Sequence, residues 1–182
     1  MNTLKVSPKW LAVALSAATF LTVPALAQNA PQPKLNDAQV ASAAVTANQV
    51  DVTYGKTALK KSKNADIRKF AQTMINDHTS IINQAVALAK KLGVTPQDNP
   101  LTDQLLAGEK TTEKKLKSLH GRSFDKAYID NEVAYHEAVI SAVKNVLIPQ
   151  TKNDQLKALL VKASPLLEEH LQMAKNVQSA FK

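Results

Sequence analysis

Four long segments of the sequence repeat apolar residues at alternating steps of three and four, which is the spacing of one face of an α-helix. The second segment shows it most clearly, with Ile67, Phe70, Met74, Ile81, Ala85, Leu88 and Leu92. No segment shows the strict alternation that a half-buried β-strand requires. The pattern therefore predicts an all-α domain whose long helices each bury one face.

Helix-capping residues divide this pattern into elements. Helix starts are predicted at Asn36 (with Gln39 in a capping box), Asn64, Asn99-Pro100, Ser123 and Asn153-Asp154. Gly93 ends the second helix and Pro149 stops the third long one. Links of a few residues make helices 1 and 2, and likewise the last two long helices, antiparallel neighbours. About 30 residues separate these hairpins, which predicts a ferritin-like four-helix bundle with a long crossover carrying an extra short helix.

The first 27 residues read as a signal peptide. Lys5 and Lys9 precede an apolar run over residues 10–23, and Ala25-Leu26-Ala27 supplies the small residues that a signal peptidase recognises. The run is too short to predict a membrane-spanning helix. We expect an exported protein, periplasmic or associated with the outer membrane, that is cleaved near Ala27.

The rest of the chain is expected to form one domain. Residues 28–35, with Pro31 and Pro33, are predicted to be a flexible lead, and residues 36–182 the helical domain. This length suffices for a single apolar core. Because the chain has no cysteine, disulfides, thiolate metal sites and cysteine nucleophiles are excluded.

One residue able to bind a metal interrupts each apolar stripe near its middle. These residues are Asp51, His78, His136 and His170. An unpartnered polar group on a buried helix face costs several kcal/mol, so the four are expected to meet in one layer. Three imidazoles and a carboxylate suit zinc, copper or iron, whereas calcium prefers oxygen ligands. The alternative is a metal-free hydrogen-bond network that sets the register of the helices.

Several acids lie near these histidines in sequence. Glu132 comes one helical turn before His136 and is a candidate fifth ligand, or a residue that orients an imidazole. Asp77, Glu137 and Glu169 are direct neighbours of histidines, about 100° away around the helix. We expect these three acids at helix seams or in solvent. No organic cofactor is expected.

The chain has a positive net charge. The formal net charge is +8, and it becomes +6 without the leader, which holds two lysines and no acid. A basic cluster offset by Glu109 and Glu113 comprises Lys110, Lys114, Lys115, Lys117 and Arg122. In an exported protein such a cluster favours an anionic membrane surface or an acidic polysaccharide over nucleic acid. The alternative is a solvated face that keeps the protein soluble.

Several segments together resemble an exported bacterial family described as domain of unknown function 4142, whose members are ferritin-like and labelled periplasmic or outer-membrane proteins. The similar segments are Tyr54 to Leu59, Phe70 to Ser80, Phe124 to Val139 and His170 to Lys175. The resemblance implies the fold and export, and it makes metal binding an expectation. It implies no reaction. The family often has glutamate where Asp51 stands. Di-iron proteins of this fold have a Glu and a His three residues apart. Here Glu132 and His136 are four residues apart, which argues against oxidative di-iron chemistry.

Two main hypotheses follow for the function. The first is a cell-envelope protein that binds one transition metal in its core, with a role in metal handling or stress tolerance. The second is a metal-free structural or interaction protein whose basic surface binds an anionic partner. A metal-dependent oxidase or peroxide scavenger is a third hypothesis, with less support, because the sequence has no nucleophile elbow and no glycine-rich phosphate loop.

Overall fold

The computed structural model describes residues 34–181, and all of its regular elements are helical. The helices are α1 (Asp37–Lys61), α2 (Ala65–Leu92), α3 (Pro100–Ser118), α4 (Gly121–Ala142), α5 (Ile148–Gln150) and α6 (Asp154–Gln178), with a π-helical turn at Val143–Leu147 and a 3₁₀ turn at Ser179–Phe181. The predicted all-α class is confirmed for this part of the chain. No helix in residues 34–181 has the length and apolar character needed to cross a bilayer.

The predicted signal peptide, residues 1–27, lies outside the described residues. Of the predicted lead, residues 28–35, the structure describes only the last two. Leu35 is buried, and its backbone N–H donates to Oε1 of Gln150 at 2.6 Å. This contact ties the residue before the N-cap of α1 to the last residue of α5.

Most predicted helix ends are confirmed. Asn36 and Gln39 form the expected reciprocal capping box, Asn64 and Asn153 cap α2 and α6, and Gly93 ends α2 with a φ of 65°. The helix predicted to start at Ser123 begins two residues earlier, at Gly121, as α4, and it continues through the π-helical turn into α5. It ends at Gln150, one residue beyond the predicted stop at Pro149. This proline lies in the first turn of α5, where a missing backbone N–H costs little.

The helices bury two apolar clusters. Helix α1 packs against α2, α3 and α4, and α6 packs against α2 and α4. On α6, Leu167 belongs to one cluster and Ala174 to the other, and His170 comes between them. On α2, Met74 belongs to one cluster and Leu88 packs against the other, with His78 between. The histidines thus occupy a polar layer bounded by apolar side chains.

Helices α1 and α2 approach closely at Gly55. A Cβ at this position would lie 2.9 Å from Cγ1 of Ile75 and 3.1 Å from the carbonyl oxygen of Ala71. Both distances are too short for a side chain to fit without movement of α2. The glycine, which weakens a helix interior by about 1 kcal/mol relative to alanine, therefore permits the close helix packing.

Gly55→Ala is expected to destabilise the protein by about 1 to 2 kcal/mol, because the clash with α2 exceeds the gain in helix propensity. Gly108→Ala is the matched control. Gly108 also lies inside a helix, but a Cβ there meets nothing within 4 Å, so that variant is expected to gain about 0.5 to 1 kcal/mol. Urea unfolding measures both changes, and an equal gain in the two variants would contradict the packing argument.

Candidate metal centre

Four helices bring the predicted site residues together in the core. Asp51 comes from α1, His78 from α2, Glu132 and His136 from α4, and His170 from α6. All five side chains are buried, with exposed fractions between 0% and 3%. The stripe positions chosen from the sequence therefore meet in one layer, and Glu132 lies in the same layer.

The ligand atoms in this layer are close to one another. Oδ2 of Asp51 lies 3.5 Å from Nε2 of His78 and 3.5 Å from Nε2 of His136. One ring nitrogen from each of the three histidines lies within 4.8 Å of the others. Asp51, Glu132 and His136 form a second group with the same spacing. His136 is common to both groups.

The orientation of His78 is set by Asn48, one turn before Asp51 on α1. The Asn48 amide Nδ2 donates to the carbonyl oxygen of Ala44 at 2.7 Å, which turns Oδ1 toward the histidine. Nδ1 of His78 lies 2.7 Å from that Oδ1 and donates to it. In the neutral imidazole the other nitrogen, Nε2, then presents a lone pair toward Asp51.

The other two imidazoles are oriented in the same manner. Nδ1 of His136 donates to the backbone carbonyl of Glu132 at 2.9 Å. Nε2 of His170 donates to Oδ2 of Asp77 at 3.0 Å. Each ring thus uses one nitrogen for a hydrogen bond outside the layer and keeps the second nitrogen as an acceptor. The lone pairs come from Nε2 of His78, Nε2 of His136 and Nδ1 of His170.

Seven buried polar atoms in this layer have no hydrogen-bond partner among the described residues. They are Oδ1 and Oδ2 of Asp51, Nε2 of His78, Oε1 and Oε2 of Glu132, Nε2 of His136 and Nδ1 of His170. Buried side-chain polar atoms usually have at least one partner. All seven are acceptors when the imidazoles are neutral and the carboxyls ionised, so the layer offers many lone pairs to a cation.

Burial shifts the pKa values in this layer toward neutral groups. It lowers the pKa of His136 to about 4 and that of His78 well below its usual 6.5, and it lowers the pKa of His170 in spite of the opposing hydrogen bond to Asp77. Burial also raises the pKa of Asp51 to about 8. For Glu132, burial and the nearby charge of Asp51 raise the pKa well above 4.5. The histidines therefore stay in the form that binds metals.

The spacing fits a four-coordinate ion. Ligand atoms about 2.1 Å from a tetrahedral zinc ion lie roughly 3.4 Å apart, close to the 3.5 Å between Asp51 and each of two histidines. The third imidazole, His170, groups with His78 and His136 and is the candidate for a fourth donor. These buried residues could therefore hold a metal ion, with Glu132 near enough to Asp51 and His136 to be a further ligand.

Comparison with known proteins gives a family but no reaction. The model of the family "Domain of unknown function (DUF4142)" matches residues 22–177. The chain belongs to this family. No curated protein and no solved structure matches the chain. The resemblance inferred from the sequence is thus confirmed, and the family's description assigns no chemistry to the buried layer.

The sequence did not single out two residues that orient the site. Asn48 lies three residues before Asp51 on the same helix face, and this spacing was the available signal. Asp77 was expected at a helix seam or in solvent; its side chain is 36% exposed and accepts the hydrogen bond of His170. His120, the remaining histidine, is exposed at the start of α4, outside the buried layer.

Asp51→Asn is expected to stabilise the metal-free protein as the pH rises. The pKa of Asp51 is about 8 in the fold against an ordinary value of 3.8, so the folded state holds an extra proton between these values. Below pH 3.8 the carboxyl is protonated in both the folded and the unfolded state, and the fold has its full stability. As the pH rises toward 8, the unfolded state ionises while the folded state must keep its proton, so the free energy of unfolding falls. Asparagine does not ionise, and the variant's advantage should grow by a few kcal/mol over this window.

Urea unfolding at pH 5 and pH 8 in the presence of a chelator measures this difference. A gap between wild type and Asp51→Asn that stays constant or shrinks with rising pH would contradict the protonated, buried carboxyl.

Proposed function

We propose that this protein binds one divalent transition-metal ion, zinc, copper or iron, in its core and serves metal handling or stress tolerance in the cell envelope. The observation that carries the proposal is the set of seven unpartnered acceptor atoms enclosed in one layer. One four-coordinate cation would partner four of these atoms, namely one oxygen of Asp51 and the free nitrogen of each histidine. Nitrogen-rich donor sets of this kind favour zinc, copper or iron over calcium and magnesium.

The charge of the layer supports a divalent ion. The three imidazoles are neutral, and Asp51 and Glu132 carry one negative charge each when ionised. A dication balances that charge within the layer, whereas two unbalanced carboxylates in the core are costly. Metal binding therefore releases the protons that the raised pKa values of Asp51 and Glu132 retain in the metal-free protein.

A metal-free hydrogen-bond network explains the layer less well. A protonated Asp51 has one proton to donate, and both histidines near its Oδ2 are 3.5 Å away, at the edge of hydrogen-bond distance. Nδ1 of His170 has no partner among the described residues. The Tyr128 hydroxyl can donate to Glu132, but a structural network that leaves the histidine nitrogens unsatisfied is worse than an apolar core.

The proposal includes a ferritin-like arrangement of α1 with α2 and of α4 with α6, with α3 on the long crossover between these hairpins. The packing of α1 on α2 and α4, and of α6 on α2 and α4, supports it. Bundles of this kind hold metals on side chains of facing helices. The four-residue spacing of Glu132 and His136 favours a single ion and binding in place of oxidative di-iron catalysis.

Export of the protein, with cleavage near Ala27, is also part of the proposal. Its support is the order of lysines, apolar run and small residues in the first 27 positions. Mass spectrometry of the preparation used for metal analysis gives the mass of the mature chain, and this mass identifies the cleavage position.

Elemental analysis of the untagged mature protein is expected to find about one transition-metal ion per chain. His78→Ala, His136→Ala and His170→Ala should each lose tight binding, because each removes one ligand nitrogen. Asn48→Ala should retain the site with about 10- to 100-fold weaker affinity, since it removes only the partner that orients His78. His120→Ala, which alters the exposed histidine, is the matched control and should bind as wild type does.

Circular dichroism confirms that each variant folds. The proposal fails if the wild-type protein is empty and takes up no added zinc, copper or iron, or if the ligand variants bind as tightly as the His120→Ala control.

A basic groove between α1 and α3 favours a second, compatible function. Its lysines are Lys56, Lys60 and Lys61 from the end of α1 and Lys110, Lys114 and Lys117 from α3. Glu113 also lies in the groove, but it is 6% exposed, accepts from Thr57 and pairs with Lys117 at 2.7 Å. Glu109 lines the same groove, and the two acids together offset only part of the charge of the six lysines. Lys115 and Arg122, also in the predicted cluster, do not line the groove.

We propose an acidic polysaccharide as the partner of this groove. Lysines on both of its sides can contact successive anionic groups of a linear chain, whereas a flat bilayer reaches only the exposed rims. The attraction acts between solvent-exposed charges, so it is screened by salt.

Lys60→Gln combined with Lys114→Gln is expected to weaken binding to an acidic polysaccharide such as polygalacturonate at least several-fold at low salt, and wild-type binding should fall steeply with added salt. Lys162→Gln, an exposed lysine of α6, is the matched control with unchanged affinity. Isothermal titration calorimetry measures all three proteins. Salt-independent binding, or binding only to anionic vesicles, would overturn the polysaccharide proposal.

A further inference from the structure

An apolar cavity of about 60 Å³ lies among α1, α2, α4 and α6, with Leu101 and Leu105 of α3 also in its wall. It is left open by small side chains on all four helices, among them Ala44, Ala47, Ala85, Ala142 and Ala163. The remaining lining residues are isoleucine, leucine and valine, with the single exception of Asn48. The space is thus bounded almost entirely by hydrocarbon.

This cavity is adjacent to the candidate metal centre. A second space of about 10 Å³ is lined by Asp51, His78, Tyr135 and His136. Both spaces share Ala47, Asn48, Val139 and Leu167 as walls. A single layer of side chains, which includes the asparagine that orients His78, therefore separates the apolar cavity from the ligand atoms.

The lining decides what the cavity can hold. A buried water needs two to four polar partners, and Asn48 already uses its amide oxygen on His78 and its Nδ2 on Ala44. Ions and sugars would lose their hydration without compensation. Apolar cavities of this type stay dry and take up xenon or small hydrocarbons, and a cavity of about 150 Å³ holds benzene. The smaller volume here fits a molecule of the size of xenon or dioxygen.

We propose that this cavity binds a small, uncharged, apolar molecule of that size and holds it beside the candidate metal centre. Binding in the cavity stands on the cavity alone, whereas its position beside a bound ion rests on the proposed metal-binding function. Ala47 and Asn48 form the wall between the two spaces. No chemical step is required for the binding itself.

Xenon titration of the metal-free protein, followed by ¹²⁹Xe NMR, tests the cavity. Saturable binding to wild type is expected, and Ala163→Leu should weaken it at least five-fold by filling the space. Ala163→Val is a smaller change, for use if the leucine variant does not fold, and should weaken binding in the same direction. Ala138→Leu adds the same leucine at an exposed position of α4 and should leave the affinity unchanged. The absence of saturable binding to wild type overturns the proposal.

The copper-loaded protein tests the position of the cavity. A Cu²⁺ ion at the candidate centre is paramagnetic and should accelerate ¹²⁹Xe relaxation, whereas zinc should not. Stoichiometric copper with no relaxation enhancement would overturn the placement beside the ion and leave the cavity in place. Failure to take up copper, zinc and iron alike would defeat the metal-binding proposal and with it the placement beside an ion, while xenon binding to the metal-free protein would still decide whether the cavity is a site.

Discussion

Five ionisable side chains share one buried layer. The need to satisfy their hydrogen bonds and balance their charges constrains the interior of this protein. Each of the three histidines donates one N–H outside the layer, to Asn48, to the Glu132 carbonyl or to Asp77. The second nitrogen of His78 and that of His136 are then acceptors 3.5 Å from Oδ2 of Asp51, and the second nitrogen of His170 is an acceptor without a partner among the described residues. Without a cation, the layer is tolerable only if its members are neutral, and the pKa shifts of the histidines and of the acids run in that direction.

The surrounding fold holds these groups in place. Apolar clusters lie on both sides of the layer, so a displacement of one helix would disturb packing as well as the polar contacts. The close approach of α1 and α2 at Gly55 brings Asp51 and His78 within 3.5 Å one turn away. The rigid neighbourhood lets three imidazoles keep fixed orientations before any ion binds, which lowers the entropic cost of binding.

Much of the site could be predicted from the sequence, because helix geometry converts spacing into direction. Asp51, His78, His136 and His170 were identified as polar interruptions of apolar stripes, and Glu132 by its distance of one turn from His136.

Asn48 and Asp77 were missed as orienting residues. Their roles depend on which side chain lies within 3 Å across a helix interface, and the pattern along one helix carries no such information. The π-helical turn at Val143–Leu147, which connects α4 to α5, was missed for the same reason: a shift of hydrogen-bond partner has no signal in apolar spacing.

The sequence by itself determined the helical class, the helix caps, the buried face of each helix and the membership in the family. The helical class, the caps and the buried faces are local properties, since each depends on residues within a few turns of one another. Only the tertiary structure decided which nitrogen of each imidazole faces the layer, that lysines of α1 and α3 border one groove, and that alanines from four helices leave a cavity beside the candidate centre. The physical reason is distance. These features depend on how closely separate helices approach, and a change of about 1 Å separates a hydrogen bond from a gap and a packed core from a cavity.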